Sequence, residues 1–572
     1  MRATTSSLPD LTVRLREYYS LVAALTRLDL RRVRLCYPLH IMNLLMTHGY
    51  MLSGTGSNVY VQNLCRALTG MGHDVHLLCQ EPNPLSYDFV NGHYRASAEG
   101  IEKLGEKPSP YPGSCSVYQP EIDGLLPVYV YDDYPGWRVK TFLDLSDGEF
   151  ENYVAKNVAA VRTVVKRSGA TGAITNHSVP GPEIMREAVS GAGVPYSSIV
   201  HGSCLQYVAR RSDKYMEVTR SGLSGATSII ALSKHSAGTI AEDFPKLEGK
   251  TLSIPGGVDT DLFRPAALDA HVTETLIGGP GRSSEQTERL REILETFSRR
   301  GSADDLAGEL KALSDGYEPR RHDADAGVRI RRLLDGGAPV ILCVGKLIHS
   351  KGVHCLLSAF ARVRRHTGAR LLVIGYGTFR EGLEALTLAL STNNRRVVEL
   401  LAEGGRLLEG GTPSAMEHFE VTDALLRDAE RMSAEIEFVG PLYHAELARV
   451  LPATEVAAVP SIFPETFGLV AAESGAASVP PFVADHSGLR EAGGFVGRGL
   501  PFDTRVSLEG DFGENLARAL AGYLALPKEE RQRCREIVRR NSVKDLSWSA
   551  LAGRIAELAK SPRLDAGENG KG

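Results

Sequence analysis

Short apolar runs alternate along this chain with stretches whose apolar residues recur at helical spacing. That alternation restricts the fold more than any composition figure. A strand, a helix and a further strand in succession need a crossover, and so a parallel sheet covered by helices. Residues 41–47 read as a strand. Val61, Leu64, Cys65 and Leu68 then recur at i, i+3, i+4 and i+7, one face of an amphipathic helix. Gly70 and Gly72 end that helix, and residues 75–79 make the next strand. Later strands are expected at 128–131, 172–176, 196–200 and 227–231, with helices such as 150–167 between them. A second series restarts at 339–345 and continues at 371–375, 436–440, 456–460 and 481–484. The fold class is therefore α/β, with two domains built on parallel sheets.

At 572 residues the chain is long enough for two or more domains. Residues 1–41 hold many arginines and few acids, lack the apolar core of a secretory signal, and read as an N-terminal extension. Residues 42–265 form the first domain and residues 337–544 the second. Between them, 266–336 is charged and punctuated by glycine, an insertion or flexible helical linker. The stretches 81–124, rich in Pro, Gly, Ser and Tyr, and 385–434 read as further insertions. A last helix at about 545–560, with Trp548, is expected to cross back onto the first domain.

The loops after the strands carry the chemistry. After the apolar run 456–459 comes Ser461-Ile462-Phe463-Pro464-Glu465-Thr466-Phe467-Gly468-Leu469-Val470, and Glu473 follows. Pro464 breaks the strand and Gly468 opens a segment of helix formers. A new helix N-terminus then sits at the carboxyl edge of the sheet, where free backbone N–H groups and the helix dipole favour phosphate. Glu465 in the loop can meet a sugar hydroxyl, and Glu473, about two turns into the helix, a ribose. The stretch resembles the Glu-x7-Glu signature of retaining glycosyltransferases of the GT-B fold, family 4 (glycosyl transferases group 1). The resemblance implies two facing Rossmann-like domains with a cleft between them.

Further stretches bear the same resemblance. Gly345-Lys346-Leu347-Ile348-His349-Ser350-Lys351-Gly352 follows the first strand of the second series. It is similar to the family's Gly-Arg-Leu with a lysine five residues after the arginine, with Lys346 in place of the arginine. Two lysines in one loop can clamp a diphosphate and neutralise the leaving group. Lys346 keeps the charge but loses bidentate geometry. Ser53-Gly54-Thr55-Gly56-Ser57-Asn58 links the first strand to its helix, and Gly54 and Gly56 are expected near the donor diphosphate or the acceptor. Val59 stands where a dinucleotide fingerprint needs its third glycine. His201 closes a strand before Gly202, where the family carries a His-Gly facing the donor sugar. Asn176 and His177 end another strand and are candidates to meet the acceptor. Gly375-Tyr376-Gly377 and the Ser487-Gly488 turn are weaker donor-side candidates.

The resemblance implies transfer of a hexose-type sugar from a nucleotide-diphosphate sugar, UDP-sugar favoured, to a hydroxyl acceptor, with retention. His201, Lys346, Lys351 and Glu465 are the expected catalytic residues. Gly54, Gly56, Lys346, Lys351, Glu465, Thr466, Phe467, Gly468, Leu469, Val470 and Glu473 are the expected donor contacts. No cofactor or metal is expected beyond the nucleotide sugar. The triplets Asp259-Thr260-Asp261 and Asp323-Ala324-Asp325 lie in a domain-closing loop and in the inserted segment. A net charge of −4 gives no reason to expect nucleic acid. Eight scattered cysteines point to a reducing, cytoplasmic setting, and peripheral membrane contact follows only if the acceptor is a lipid. Two alternatives stay open: a sugar-nucleotide epimerase, or a non-catalytic sugar-nucleotide-binding protein on the same fold.

Overall fold

The computed structural model describes residues 41–130, 134, 136–267 and 281–560. The expected N-terminal extension falls almost entirely outside them. Among the described residues two large sheets form. In the first, β1 (Asn43–Thr47), β2 (Asp74–Leu78), β3 (Gly92–Ala96), β4 (Ile101–Glu106), β5 (Ser114–Pro120), β8 (Gly172–Asn176), β9 (Tyr196–Val200), β10 (Ser228–Ala231) and β11 (Thr251–Ser253) lie in the order β11-β10-β9-β8-β1-β2-β5-β3-β4. β6 (Leu125–Val128) and β7 (Arg138–Thr141) pair beside it as a two-stranded sheet. The second sheet holds β12 (Val340–Val344), β13 (Arg370–Ile374), β14 (Ile436–Phe438), β15 (Val456–Val459), β16 (Pro481–Ala484) and β17 (Arg505–Val506). Its order is β14-β13-β12-β15-β16-β17, parallel throughout.

The central strands are apolar on both faces. Leu44, Leu45 and Met46 of β1 and Ile341 and Leu342 of β12 are fully buried, as a sheet with helices on both sides requires. The helix Gly56–Gly70 buries Val61, Leu64, Cys65 and Leu68, the stripe expected from their spacing. Burying such side chains contributes about 1.5–3 kcal/mol each. Each sheet begins in its middle and fills one side before crossing to the other, although in the first the chain reaches β3 and β4 at the edge before β5 inserts beside β2. Winding therefore reverses between β1 and β8 and between β12 and β15. The crevice outside the carboxyl ends of strands at such a reversal is where α/β sheets bind ligands.

Three expectations need correction. The stretch 81–124 is not a mere insertion: β5 pairs with β2 inside the main sheet, and β3 and β4 extend its edge. Its glycines, prolines and serines masked a strand whose Cys115 and Val117 alternate inward. β4 runs antiparallel to β3, so the first sheet is not wholly parallel. Third, the described part of 266–336 is not a flexible tether. It forms the helices Ser284–Phe297, Ala303–Ser314 and Ala326–Asp335, docked on the second domain. Arg282 meets Glu381 at 3.1 Å and Glu384 at 2.9 Å. Asp323 meets Arg380 at 2.6 Å and Arg329 at 2.5 Å. Charges this deeply buried persist only when paired.

After Lys528–Leu546 the chain ends its described part in the helix Trp548–Lys560, which lies on the first sheet. Ser197 Oγ of β9 donates to the Leu558 carbonyl at 2.7 Å. A Cβ on Gly172 of β8 would lie 2.6 Å from the Ala559 carbonyl oxygen, so the helix rests directly on backbone.

Candidate active site

A cleft of about 500 Å³ opens between the carboxyl edges of the two sheets. Both points of reversed winding feed it: the loops after β1 and β8 on one wall, those after β12 and β15 on the other. Lys346, Lys351, Glu465, Thr466, Phe467, Gly468, Leu469 and Val470 line the second-domain wall. Gly54, Gly56, His177 and His201 line the first.

On the second-domain wall, Lys351 and Glu465 form an ion pair. Burial opposes ionisation of Glu465, but Lys351, the Ser461 hydroxyl and His486 outweigh it and hold the carboxyl below the usual carboxylate range. Several contacts aim the Glu465 loop. Ser461 Oγ donates to Glu465 Oε1 at 2.6 Å, the Glu465 N–H donates to Ser487 Oγ at 2.9 Å, and the Gly488 N–H donates to the Glu465 carbonyl at 2.9 Å. His486 Nε2 donates to the Ser461 carbonyl at 2.7 Å. Ser487 and Gly488, expected in the donor pocket, are therefore the frame behind Glu465. The Gly375–Gly377 turn is a frame too, since the Leu347 N–H donates to the Tyr376 carbonyl at 2.8 Å. The loop 345–352 is also held by the stretch 385–434, where Glu409 accepts the His349 N–H at 2.8 Å.

Gly468 caps the helix Leu469–Ala476 at φ +104°, and a Cβ there would lie 2.5 Å from the Leu489 side chain. Only glycine meets both demands, and the free N–H groups of that helix open on the cleft. Gly352 is equally fixed, at φ +65° with the Pro460 carbonyl oxygen 2.1 Å from where its Cβ would be. A Cβ on Gly54 or Gly56 would meet nothing within 4 Å, so they leave open space at the helix mouth, though the φ of +97° at Gly54 still favours glycine.

On the first-domain wall, His201 Nε2 lies 2.9 Å from Asn176 Oδ1. Burial, with His48 nearby, pushes its pKa down to about 3, so His201 is neutral. His48 and His177 stand at the ends of β1 and β8 and are also held neutral by burial. His48 Nε2 lies 3.0 Å from Asn58 Oδ1, and Asn58 Nδ2 donates to the Ser53 carbonyl at 2.6 Å, which sets the 53–58 loop. Glu81, near the end of β2, is committed to the same loop through the Leu52 N–H at 3.0 Å. The walls touch where Thr466 Oγ donates to the His201 carbonyl at 2.9 Å.

Glu473 is the one expected donor contact that does not reach the cleft lining. It is buried against His444, Nε2 to Oε1 3.1 Å. Burial opposes the charge on His444, but Glu473 and Asp259 outweigh it and raise its pKa. Neither Asp-x-Asp triplet faces the cleft: Asp259 caps a turn through the Asp261 and Leu262 N–H groups, and Asp323 is paired with arginines. The sequence reading missed His48, Tyr50 and Tyr129, which converge on His177. It also missed Ser461 and His486 as supports of Glu465. The signal for the histidines was available, since His48, His177 and His201 each follow a strand.

Two Rossmann-like domains sharing a cleft, with cations and a helix mouth facing a neutral wall, define a GT-B fold. Comparison with known proteins gives the family. The model for glycosyltransferase family 4 matches residues 54–262, and that for glycosyl transferases group 1 matches residues 328–399 and 424–541. The chain belongs to this glycosyltransferase family. Glycogen synthase of Mycobacterium tuberculosis is 29% identical over 223 residues, which is 39% of this chain and 42% of that protein. An uncharacterized glycosyltransferase of Methanocaldococcus jannaschii is 23% identical over 189 residues, 32% of this chain and 38% of that protein. The chain thus spans less than half the length of these relatives. Among solved structures, sucrose-phosphate synthase of Thermosynechococcus elongatus superposes with a TM-score of 0.53 at 18% identity, covering 90% of this chain and 97% of that one. Anabaena HepE, solved in complex with UDP and glucose, gives 0.52 at 12% identity, covering 90% and 98%. These structures share the fold.

Proposed function

We propose that this chain moves a hexose-type sugar from a nucleotide-diphosphate sugar, a UDP-sugar by preference, to a hydroxyl acceptor with retention at the anomeric carbon. One observation carries the reading: the Lys351–Glu465 pair, Lys346 and the mouth of the helix Leu469–Ala476 line a single wall of one cleft. The lysines and the helix N–H groups would hold the diphosphate, and Glu465 the hydroxyls of the sugar. The C1–O bond to the diphosphate breaks and its electron pair leaves with the phosphate. The acceptor oxygen bonds to C1 from the same face, and its proton passes to a departing phosphate oxygen. No protein base is needed, and catalysis is positioning plus electrostatics. The lysines supply the positive charge, so the scheme invokes no metal.

The solved Anabaena relative was captured with UDP, and that favours uridine as the base. Among the described residues no helix is long and apolar enough to cross a membrane, and all described cysteines are free and buried. A cytoplasmic setting is part of the reading. Thermal-shift titration with UDP, GDP and ADP tests it. UDP is expected to raise the melting temperature and Lys351→Ala to abolish the shift. No response to any of the three would overturn the reading.

A further inference from the structure

The first-domain wall of the cleft holds a buried polar group with nothing to bind. His177 is 2% exposed, and neither ring nitrogen has a hydrogen-bond partner. Its backbone stands at φ +70°, an unusual setting for a residue with a side chain. The ring is held from several sides: His48 stacks on it at 5.4 Å, and Tyr129, His201 and Tyr50 lie at 4.7, 4.9 and 5.6 Å. The buried Tyr50 hydroxyl has the Tyr129 hydroxyl beside it, which itself donates to the Val179 carbonyl. His177, Tyr50 and Tyr129 line both the main cleft and a chamber of about 40 Å³ behind it. The chamber has room for water but not for a sugar. A ligand for these groups would come from the cleft.

The charge of this wall narrows the ligand. Among the described residues, the first domain gives the cleft no Lys, Arg, Asp or Glu side chain. A phosphate or carboxylate brought here would meet no cation among the described residues of this domain, and burying one unpaired is costly. The lysines of the cleft stand on the opposite wall. A neutral imidazole offers one N–H and one bare nitrogen, and a sugar hydroxyl both donates and accepts. Burial, with His201 and His48 beside it, keeps His177 neutral.

We infer that the base of this wall, His177 with Tyr50 and Tyr129, binds the acceptor and selects an uncharged sugar or polyol over a phosphorylated one. The inference rests on the glycosyl-transfer reading and adds the acceptor class to it. The hydroxyl held there bonds to C1 of the donor sugar as the C1–O bond to the diphosphate breaks, and gives its proton to the departing phosphate.

The test uses the full chain, with the UDP-, GDP- or ADP-sugar whose nucleotide shifts its melting temperature. Glucose, maltose and glycerol are compared with glucose 6-phosphate, maltose 1-phosphate and glycerol 3-phosphate. The uncharged member of a pair is expected to win by about tenfold or more in kcat/KM. Tyr50→Phe and His177→Phe are expected to raise the acceptor KM about tenfold and leave the nucleotide-induced shift intact. His177→Asn, which tolerates this backbone and keeps a donor and an acceptor, should stay within about threefold. Preference for the phosphorylated partner, no transfer to any uncharged member, or an unchanged acceptor KM in both phenylalanine variants would overturn the inference. Absence of any nucleotide shift would instead overturn the transferase reading beneath it.

Discussion

Glu491 caps a helix that belongs to the other domain: its Oε2 accepts the Lys234 N–H at 2.8 Å, and its Oε1 accepts the His235 N–H at 3.0 Å. The acid lies on the helix Ser487–Val496, whose first turn frames Glu465, and it closes the N-terminus of the helix Lys234–Asp243. A carboxylate at such an end contributes roughly 0.5–2 kcal/mol. Here that energy favours domains held together. Glu491→Gln should widen the molecule, seen as a larger radius of gyration by small-angle scattering without ligand, and raise the donor KM several-fold. An unchanged radius would show that the cap does not set closure.

The Lys351–Glu465 pair makes a second prediction. Glu465→Ala and Lys351→Ala should each cut transfer by about two or more orders of magnitude. The melting temperature should fall little, because both side chains are partly exposed and such pairs contribute about 1 kcal/mol or less. Steady-state kinetics with circular dichroism separates the effects, and near-normal turnover in both variants would refute the roles given to them.

Buried neutral histidines set the response to acid. The pKa of His48 is pushed down to about 4, and those of His201 and His354 to about 3, by burial. Below about pH 6.5 the unfolded chain takes up protons on these residues while the folded chain does not, so stability falls as pH falls. Each histidine approaches a loss of about 1.4 kcal/mol per pH unit until its folded pKa is reached. His444 runs the other way: its contribution is complete below about 6.5 and is lost as pH climbs through its raised folded value. Thermal melts from pH 7.5 to 4.5 should show a steepening decline below about 6.5. A flat profile would contradict the burial of these rings.

Asp323→Asn should destabilise the docked helices, because it leaves Arg380 and Arg329 short of a buried partner. Losing one member of such a pair costs about 3–5 kcal/mol. Limited trypsin digestion should then cut within residues 281–335 well before the rest of the chain. The double variant Asp323→Leu, Arg380→Met should recover part of the loss, since an apolar pair leaves less charge uncompensated.

Much of the strand framework was legible because it is local. β12 and β15 are continuous apolar runs, and the helix after β1 shows its stripe in four residues. The wall carrying Lys346, Lys351 and Glu465 was legible for the same reason, since each loop follows its strand directly. What escaped was nonlocal. β5 is short of apolar residues in sequence and becomes a strand only because β2 lies beside it. Glu473 has the expected spacing from Glu465, yet its partner His444 stands on another helix, and no local stretch of sequence contains that pair. The gathering of Tyr50, Tyr129 and His177 depends on which strand lies next to which, and no window of sequence contains that.

The helix Trp548–Lys560 lies on β8 and β9, and the Trp548 ring meets Tyr60 at 4.9 Å, which in turn meets His201 at 5.2 Å. The half of the enzyme that leaves the ribosome first is therefore the half finished last. Its outer layer is missing until residues 548–560 have been made, so a product terminated before them would lack this support on β8 and β9 while the second sheet, β12 to β17, stood complete.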